Sequence, residues 1–252
     1  MFKRLFQTRQ NSAKRPFDAL IKPNTPFYAI GDIHGCDYLL GQLLDKILHD
    51  DQAQVVFVGD YVDRGEETAA VLKRLFEMVT DTHPQTICLA GNHEDMMLKF
   101  INNPIEHGSR WLKYGGLQAL ASYGIKGITP TSVGVALKEA RDELIDKMGA
   151  PMLTWLQELP TYWVNGNVAV VHAGADPEIP IEDQQARTLK WGHQEFHSRD
   201  RQDGIWVVHG HNIVDEATIK SGRIAIDTGA YATGKMTAAY IDKDTIQFIN
   251  GS

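Results

Sequence analysis

Apolar runs and amphipathic stretches alternate along this 252-residue chain from residue 27 onward. Short runs of apolar, β-prone residues predict buried strands, in chain order FYAI, QVVFV, TICLA, VAVV and IWVV. Between the first three runs, LLGQLLDKIL at 39–48 and AAVLKRLFEMV at 69–79 place apolar residues at the i, i+3, i+4 spacing of helices that pack on a sheet. This alternation predicts an α/β fold.

The chain beyond the third run divides into two further regions. Residues 95–158 predict a mostly helical insertion, with glycines and prolines at its joints, and we expect this insertion to roof a site built by the preceding segments. The last part turns to β structure: TYWV and VAVV flank a short polar turn, and RIAI, MTAAYI and TIQFI follow. We therefore expect one domain over 27–252.

The first 26 residues have a different character. They carry six basic residues, Lys3, Arg4, Arg9, Lys14, Arg15 and Lys22, against the single acid Asp18. A charge run of this kind usually stays solvated, so the pattern predicts a flexible basic tail. A short interfacial anchor through MFKRLF is the alternative, although this segment lacks the long apolar core of a secretory signal.

Composition narrows the classes of function. The formal net charge of −7 disfavours general nucleic-acid binding, which usually needs a basic face. No apolar stretch approaches the roughly 20 residues that span a bilayer, so no integral membrane segment is expected. The two cysteines, Cys36 and Cys88, lie in a predicted helix start and a predicted strand. They are expected to be reduced packing residues of a cytoplasmic protein.

Polar motifs follow the predicted strands at five places. They are GDIHG at 31–35, GDYVDRG at 59–65, GNHE at 91–94, HAG at 172–174 and VVHGH at 207–211. Strand ends of an open α/β sheet meet at one edge, so these side chains should converge there. Carboxylate, imidazole and amide donors suit two divalent ions that share one bridging carboxylate, for which Asp60 is the natural choice. The candidate ligands are Asp32, His34, Asp60, Asn92, His172 and His211.

These motifs resemble those of the metallophosphoesterases, and within them the bacterial branch of the PPP-type serine/threonine protein phosphatases. The likeness spans roughly residues 27 to 240 and follows the same motif order. It implies a calcineurin-like sandwich of two mixed β-sheets flanked by helices. It also implies that Asp32, His34 and Asp60 hold one metal ion, and that Asp60, Asn92, His172 and His211 hold the other.

The resemblance further implies three catalytic roles. His93 is the expected general acid, Asp63 orients it, and Arg64 clamps the phosphate. His209 stays open as a ligand, as a partner of one or as a bystander, because residues 209 and 211 point to the same side of an extended segment. Alignment with the family motif favours His211 as the ligand.

The implied chemistry is metal-dependent hydrolysis of phosphomonoesters. Two divalent ions lower the pKa of a water between them and neutralise charge on the phosphoryl oxygens. Mn²⁺ is the expected metal, and Fe, Zn and Co suit the same donor set. Small phosphate esters should serve as substrates in vitro.

Small motif differences guide the expected substrate. Relatives that split symmetrical dinucleoside tetraphosphates usually carry alanine where this chain has Asp63, and GNHD where it has GNHE. We therefore expect a phosphorylated protein or peptide as partner, with phosphoserine and phosphothreonine as targets and phosphotyrosine as a further one. The alternative is a dinucleoside tetraphosphate or other nucleotide pyrophosphohydrolase. A noncatalytic scaffold is disfavoured because every expected ligand is present.

One position departs from the family pattern. Many relatives place a second phosphate-binding arginine after a tryptophan shortly before the last metal histidine, whereas this chain reads LKWGHQEFHSRD. His193 occupies that place, and three nearby arginines are further candidates. The residue that takes this role is left open among His193, Arg187, Arg199 and Arg201.

Overall fold

The computed structural model describes residues 16–48, 54–80 and 86–251. Its centre is a pair of five-stranded mixed sheets. The first sheet has the strand order β10-β9-β1-β2-β3. Its strands are β1 Phe27–Ile30, β2 Gln54–Phe57, β3 Thr86–Cys88, β9 Met236–Ile241 and β10 Ile246–Gly251. Strands β1, β2 and β3 are parallel, and β9 joins β1 antiparallel.

The second sheet has the strand order β4-β5-β6-β8-β7. Its strands are β4 Tyr162–Asn165, β5 Val168–Val171, β6 Trp206–His209, β7 Thr218–Lys220 and β8 Arg223–Ala225. Strands β5, β6 and β8 are parallel, while β4 and β7 pair antiparallel at the two edges. Each sheet therefore has three parallel strands, whose carboxyl ends can carry functional loops.

Side-chain alternation along the strands builds three layers of core. Val56 and Val58 of the first sheet share one buried cluster with Val168 and Val170 of the second, which joins the sheets face to face. The intervening residues point outward: Phe57 packs in the cluster that contains the helices beside the first sheet. Both faces of β5 are buried, which explains its unbroken apolar sequence.

Helices cover the outer faces of the sandwich. Helices α1 Asp37–Ile47 and α2 Thr68–Thr80 follow β1 and β2. Between β3 and β4 the chain forms α3 Asn92–Asn102, α4 Pro104–Trp111, α5 Leu117–Ser122, α6 Val135–Met148 and α7 Ala150–Gln157, with a π-helical turn at Leu112–Gly116. A 3₁₀ turn at Ile181–Asp183 precedes α8 Ala186–Trp191, and α9 Ala230–Thr233 precedes β9. Among the described residues, no helix is long and apolar enough to cross a bilayer.

The predicted fold class is confirmed, and the differences have simple causes. All the apolar runs that predict strands lie in strands or continue directly from them. Strand β7 carries no such signal because its three residues are all exposed at the sheet edge. An exposed edge strand needs no apolar side, so hydrophobic periodicity does not mark it.

Residues 16–26, the described part of the predicted flexible tail over 1–26, contact the domain. Phe17 packs edge-on against Trp206 with ring centroids 5.2 Å apart. The Asn24 N–H donates to Asn165 Oδ1 at 2.8 Å, and the Lys22 N–H donates to Asn167 Oδ1 at 2.6 Å. The β4–β5 turn thus satisfies the backbone of this segment, which single-sequence charge counting could not show. Residues 1–15 lie outside the described residues.

Candidate active site

The motif loops bend through the left-handed region of backbone conformation. The φ angles are 46° at His34, 54° at Asp60, 73° at Asp63, 66° at Arg64 and 65° at His211. Non-glycine residues adopt such angles at a cost, and they concentrate where function requires a particular side-chain direction. All five are predicted site residues, and the sixth described non-glycine residue with a positive φ, Ser221 at 49°, lies between β7 and β8.

Two glycines make the close approach of the loops possible. A side chain at Gly91 would collide with Asp60 Oδ1, and one at Gly210 would collide with Asp32 Oδ1. The carboxylates of two motifs therefore lie directly against the backbone of two others. Only glycine leaves room for this convergence.

Asp60 lies at the centre of three imidazoles. Its Oδ2 is 3.4 Å from His172 Nε2, 3.6 Å from His34 Nε2 and 3.9 Å from His93 Nε2. Burial raises the pKa of Asp60, but the surrounding imidazoles of His172, His93 and His34 bring it well below its usual value. Asp60 is thus an ionised carboxylate with nitrogen donors on several sides, as a bridging ligand requires.

Asn92 joins the last two histidines of the ligand set. Its Oδ1 lies 2.9 Å from His172 Nε2 and 2.8 Å from His211 Nδ1. Ligand bonds of about 2.0–2.2 Å place adjacent donors of one ion about 3 Å apart. The residues present therefore fit a divalent ion at this point.

His34 has the tautomer that a ligand needs. Its Nδ1 lies 2.9 Å from the Val62 carbonyl oxygen, to which the Nδ1–H donates, leaving the Nε2 lone pair facing Asp60. Burial lowers the pKa of His34 to about 3, and burial together with His172 lowers the pKa of His211 to about 4. Neutral imidazoles are the form that binds metals.

The close groups of donors differ from the predicted ligand set at two residues: they include His93 and leave out Asp32. Among the described residues, the two close groups of donors are His34, Asp60 and His93, and Asp60, His172 and His211. Asp32 lies outside both groups, and its two oxygens accept the His211 N–H at 3.1 Å each. Burial and the carboxylates of Asp227 and Asp60 raise the pKa of Asp32 well above its usual value. A bound cation would offset this repulsion, so Asp32 keeps its place as a candidate ligand.

Glu94 organises the site without facing a ligand position. Its carboxylate accepts backbone N–H groups from Asp60 at 2.9 Å, Tyr61 at 2.8 Å and Gly91 at 2.9 Å. The residue is buried, and burial raises its pKa to about 7. Glu94 ties the GDYVDRG loop to the start of α3, a structural role that sequence comparison of GNHE with GNHD could not reveal.

The predicted acid and its orienting carboxylate form a buried pair. His93 Nδ1 lies 2.7 Å from Asp63 Oδ2. The Trp111 Nε1–H donates to both Asp63 oxygens, at 2.9 and 3.1 Å. Burial lowers the pKa of His93, but Asp60 and Asp63 raise it by more, so the imidazole keeps a proton more readily than usual. Burial raises the pKa of Asp63 to about 6.

Trp111 and Tyr231 complete the site, and sequence reasoning missed both. A tryptophan in an apolar helical pattern is usually core, and Trp111 is indeed wholly buried. Arg64 Nη1 donates to the Tyr231 hydroxyl at 2.8 Å, and its Nη2 lies 3.3 Å from His93 Nε2. Arg64 thus points its guanidinium across the mouth of the site. The loop 227–229 before Tyr231 was the available signal, since it follows a strand at the same sheet edge.

The four candidates for the second phosphate-binding residue have different surroundings. Arg199 forms ion pairs with Glu178 and Glu195, and Arg201 is buried against Asp203. His193 Nε2 lies 3.6 Å from Asp176 Oδ2. Arg187 lines a pocket beside α3.

His209 lies on the other side of its strand end from the donor clusters. It is buried with its ring 4.9 Å from Phe196, and its Nδ1 contacts the Gly210 carbonyl oxygen at 3.1 Å. Burial lowers its pKa to about 4. It belongs to neither close donor group, whereas His211 belongs to one.

Two named relatives resemble this chain over most of its length. The chain is 28% identical over 235 residues to a protein of Oceanobacillus iheyensis named bis(5'-nucleosyl)-tetraphosphatase PrpE [asymmetrical], covering 83% of this chain and 86% of the relative. A Bacillus cereus protein of the same name is 25% identical over 245 residues, covering 86% of this chain and 91% of the relative.

Solved structures show the same fold. A proposed diadenosine tetraphosphatase superposes with a TM-score of 0.63 at 20% identity, covering 93% of this chain and 99% of that one. A cold-active protein-tyrosine phosphatase of a Shewanella species superposes with a TM-score of 0.56 at 16% identity, covering 93% and 82%. The sequence profile of the calcineurin-like phosphoesterases matches residues 25–223. The chain belongs to the calcineurin-like phosphoesterase family.

Proposed function

We propose that this metallophosphoesterase hydrolyses dinucleoside tetraphosphates at a phosphoanhydride bond. The observation that carries the proposal is the likeness of nearly the whole chain to relatives named asymmetrical bis(5'-nucleosyl)-tetraphosphatases. It favours the nucleotide alternative over the protein substrate that the motif differences at Asp63 and Glu94 led us to expect. The catalytic machinery suits both substrates, since both reactions transfer a phosphoryl group to water.

The side chains divide the work of hydrolysis. The Asp60, His34, Asn92, His172 and His211 donors, with Asp32 beside them, would hold two divalent ions. When bound, these ions would supply water activation and charge neutralisation. We propose Mn²⁺ as the native metal, because mixed oxygen and nitrogen donors suit it. Arg64 offers a planar fork of donors to the phosphoryl oxygens at the mouth of the site.

His93 is the proposed proton donor to the leaving group. Its Nε2 faces the Arg64 guanidinium and the Asp60 carboxylate, while its Nδ1 bonds Asp63. A cationic His93 can pass its Nε2 proton to the departing oxygen, and Asp63 stabilises that cation. General-acid catalysis of this kind contributes about 100-fold to 10,000-fold.

Dephosphorylation of proteins is the second candidate, and the acid pair is the observation that favours it. A serine or threonine alkoxide is a far poorer leaving group than a nucleotide phosphate, so it depends more strongly on a proton donor. The Trp111–Asp63–His93 chain is wholly buried and hydrogen-bonded, as such a donor requires.

One assay separates the two candidates. Bound metal is first removed from the protein with a chelator, and Mn²⁺ is then added back. The enzyme is assayed on diadenosine tetraphosphate and, in parallel, on phosphoserine, phosphothreonine and phosphotyrosine peptides. We expect a higher kcat/KM on the dinucleotide, with ATP and AMP as chromatographic products of an asymmetrical cut. Formation of two ADP molecules would instead indicate a symmetrical cut. A higher kcat/KM on any of the peptides would replace the proposal by the second candidate.

A further inference from the structure

A pocket of about 560 Å³ lies beside α3 and has no role in the chemistry derived above. It is lined by four cationic side chains, one carboxylate and one indole, and we call it the basic pocket. Its lining residues are Asp95, Lys99, Arg110, Arg187, Lys190 and Trp191. Its volume falls within the range of about 300–1,000 Å³ that is typical of small-molecule sites.

The net charge of the basic pocket is opposite in sign to that of the whole chain. The basic pocket holds four cations and one carboxylate, a local balance of +3, whereas the chain has a net charge of −7. Four cations that share one pocket repel one another, so the arrangement is stabilised by anions. In an acidic protein this is a specific local feature and not a consequence of composition.

Asp95 neutralises only part of this charge. Its Oδ2 accepts Lys99 Nζ at 2.7 Å, and its Oδ1 accepts Lys190 Nζ at 2.5 Å. These contacts pair both lysines with Asp95. Within the described chain, no carboxylate forms an ion pair with Arg110 or Arg187, and both side chains are exposed. Two guanidinium groups are therefore available to an incoming anion.

Aromatic packing orients one of these arginines. Arg110 Cζ lies 5.1 Å from the centre of the Trp191 ring. Trp191 is itself held at its indole N–H, which donates to Asp95 Oδ2 at 3.3 Å. A stacked guanidinium keeps its planar donor edge free, which suits phosphate oxygens.

The basic pocket adjoins the metal centre. Asp95 follows the candidate ligand Asn92 by three residues on α3, a spacing that places side chains about 5–6 Å apart on one helix face. On the other side, the Leu189 carbonyl oxygen in α8 accepts the N–H of Ala173, the residue after the ligand His172, at 2.8 Å. Both walls of the pocket are thus fixed directly to ligand-bearing segments.

We propose that the basic pocket binds the nucleoside polyphosphate portion of the substrate that does not react at the metal centre. This inference rests on the proposed function, since only a substrate with several linked phosphates would occupy both places. A dinucleoside tetraphosphate carries negative charge along its whole bridge, and a cationic pocket whose Asp95 lies one helical turn from the candidate ligand Asn92 matches that distribution. Arg110 and Arg187 would bind these phosphates, and Lys99 and Lys190 would add to the positive electrostatic potential of the pocket.

The direct test is ATP binding to the metal-free protein, measured by calorimetry and by intrinsic tryptophan fluorescence. The test variant is the double substitution Arg110→Gln with Arg187→Gln. The charge-matched control is Lys126→Gln with Lys220→Gln, because both lysines are exposed and outside the pocket. We expect ATP affinity to fall about 10-fold to 100-fold in the test variant and to stay within about twofold in the control. Equal affinity in both variants, or no ATP binding by the unmodified protein, would overturn the proposal.

Kinetics with the Mn²⁺-loaded enzyme completes the test. We expect the pocket variant to raise KM for diadenosine tetraphosphate about tenfold. Arg110→Gln alone should leave kcat/KM for p-nitrophenyl phosphate unchanged, because that ester is too small to reach the pocket. Cleavage of the dinucleotide with an unchanged KM would overturn the pocket proposal alone. Absence of dinucleotide cleavage would instead overturn the proposed function, and the ATP measurement would still report on the pocket. Loss of phosphopeptide binding without loss of ATP binding would assign the pocket to a peptide, against the proposal.

Discussion

The metal centre and the basic pocket share α3 but are built in opposite ways. Side chains of the metal centre are short, buried and placed by strained loops: His34 and Asp60 both have positive φ and are almost inaccessible. Arg110 and Arg187 of the basic pocket are long and exposed, and both extend from regular helices. Ligands that must stay at fixed positions need a rigid backbone, whereas phosphate recognition tolerates flexible side chains.

This difference has a consequence for substitution. A change at the metal centre alters groups whose positions are fixed by several hydrogen bonds at once, so its effect should be large. A change in the basic pocket removes one of several cations and should act on substrate affinity only. Four predictions test the metal-centre side of this contrast, from the largest expected effect to the smallest.

Asp60→Asn should have the largest effect. It keeps the Oδ1 acceptor for the His93 N–H but removes the charge at the centre of three imidazoles. We expect metal content to fall and kcat/KM to drop by at least about 1,000-fold, since several kcal/mol of charge stabilisation is lost. Elemental analysis and initial rates measure both. Asp244→Asn, at a highly exposed carboxylate, is the control and should match the unmodified protein. Full activity of Asp60→Asn would remove the carboxylate from its bridging role.

His93→Ala should separate acid catalysis from metal binding. His93 lies in one close donor group, yet its Nδ1 is bonded to Asp63, as an acid requires. We expect full metal content, a loss of about 100-fold to 10,000-fold on alkyl phosphate esters, and a much smaller loss on p-nitrophenyl phosphate. His197→Ala, at an exposed histidine, is the matched control. Loss of metal, or an equal loss on both esters, would make His93 a ligand and not the acid.

Trp111→Phe should have an intermediate effect at the junction of the two regions. It keeps the ring in the core and removes the indole N–H that bonds both Asp63 oxygens. Losing a hydrogen bond to a buried carboxylate costs about 1–3 kcal/mol, so we expect kcat to fall about tenfold with KM unchanged.

The pKa of Asp63 gives this variant a second readout. Without the indole N–H, that pKa should rise above about 6, and the acidic limb of the pH–rate profile should move upward. Trp155→Phe, which changes a tryptophan packed on Phe76, serves as the control for general loosening of the core. An unmoved pH profile would assign Trp111 to packing alone.

Cys36→Ser should have the smallest effect although Cys36 immediately follows the GDIHG motif. Its S–H donates to the His34 carbonyl oxygen at 3.4 Å, a contact that a serine hydroxyl can replace. We expect kcat/KM within about twofold of the unmodified value. Burial and Glu67 raise the pKa of the Cys36 thiol to about 11. The thiolate therefore becomes more populated as pH rises toward that value, and alkylation by iodoacetamide should accelerate from pH 7 to 10. A rate that levels off near pH 9.5 would show an ordinary thiol, whose pKa is about 8.5.

Several candidate donors of the metal centre could be predicted from sequence because they follow the strands. Asp60 and Asn92 come directly after buried apolar runs, and parallel strands bring such positions to one edge. Helices α1 and α2 could be predicted from the spacing of their own apolar residues. Substrate choice was less accessible, since motif differences at Asp63 and Glu94 suggested proteins while the curated relatives suggest dinucleotides.

Contacts between distant segments were decided only by the tertiary structure. Trp111 reaches Asp63 across 48 residues of sequence, and Lys190 reaches Asp95 across 95. The packing of residues 16–26 on the β4–β5 turn spans more than 130 residues. No periodicity or motif records such pairs, because each partner looks ordinary in its own helix or loop.

The sequence by itself determined the α/β class, the order of the strands that carry polar motifs, and several candidate donors that the fold brings together around Asp60, because these depend on local pattern and on the geometry common to parallel sheets. Tertiary structure alone decided that Trp111 supports the acid pair, that Glu94 ties three backbone amides together, and that four cations meet beside α3. The physical reason is that side-chain packing brings together residues far apart in sequence, and it does so only once the helices have docked on the sheets.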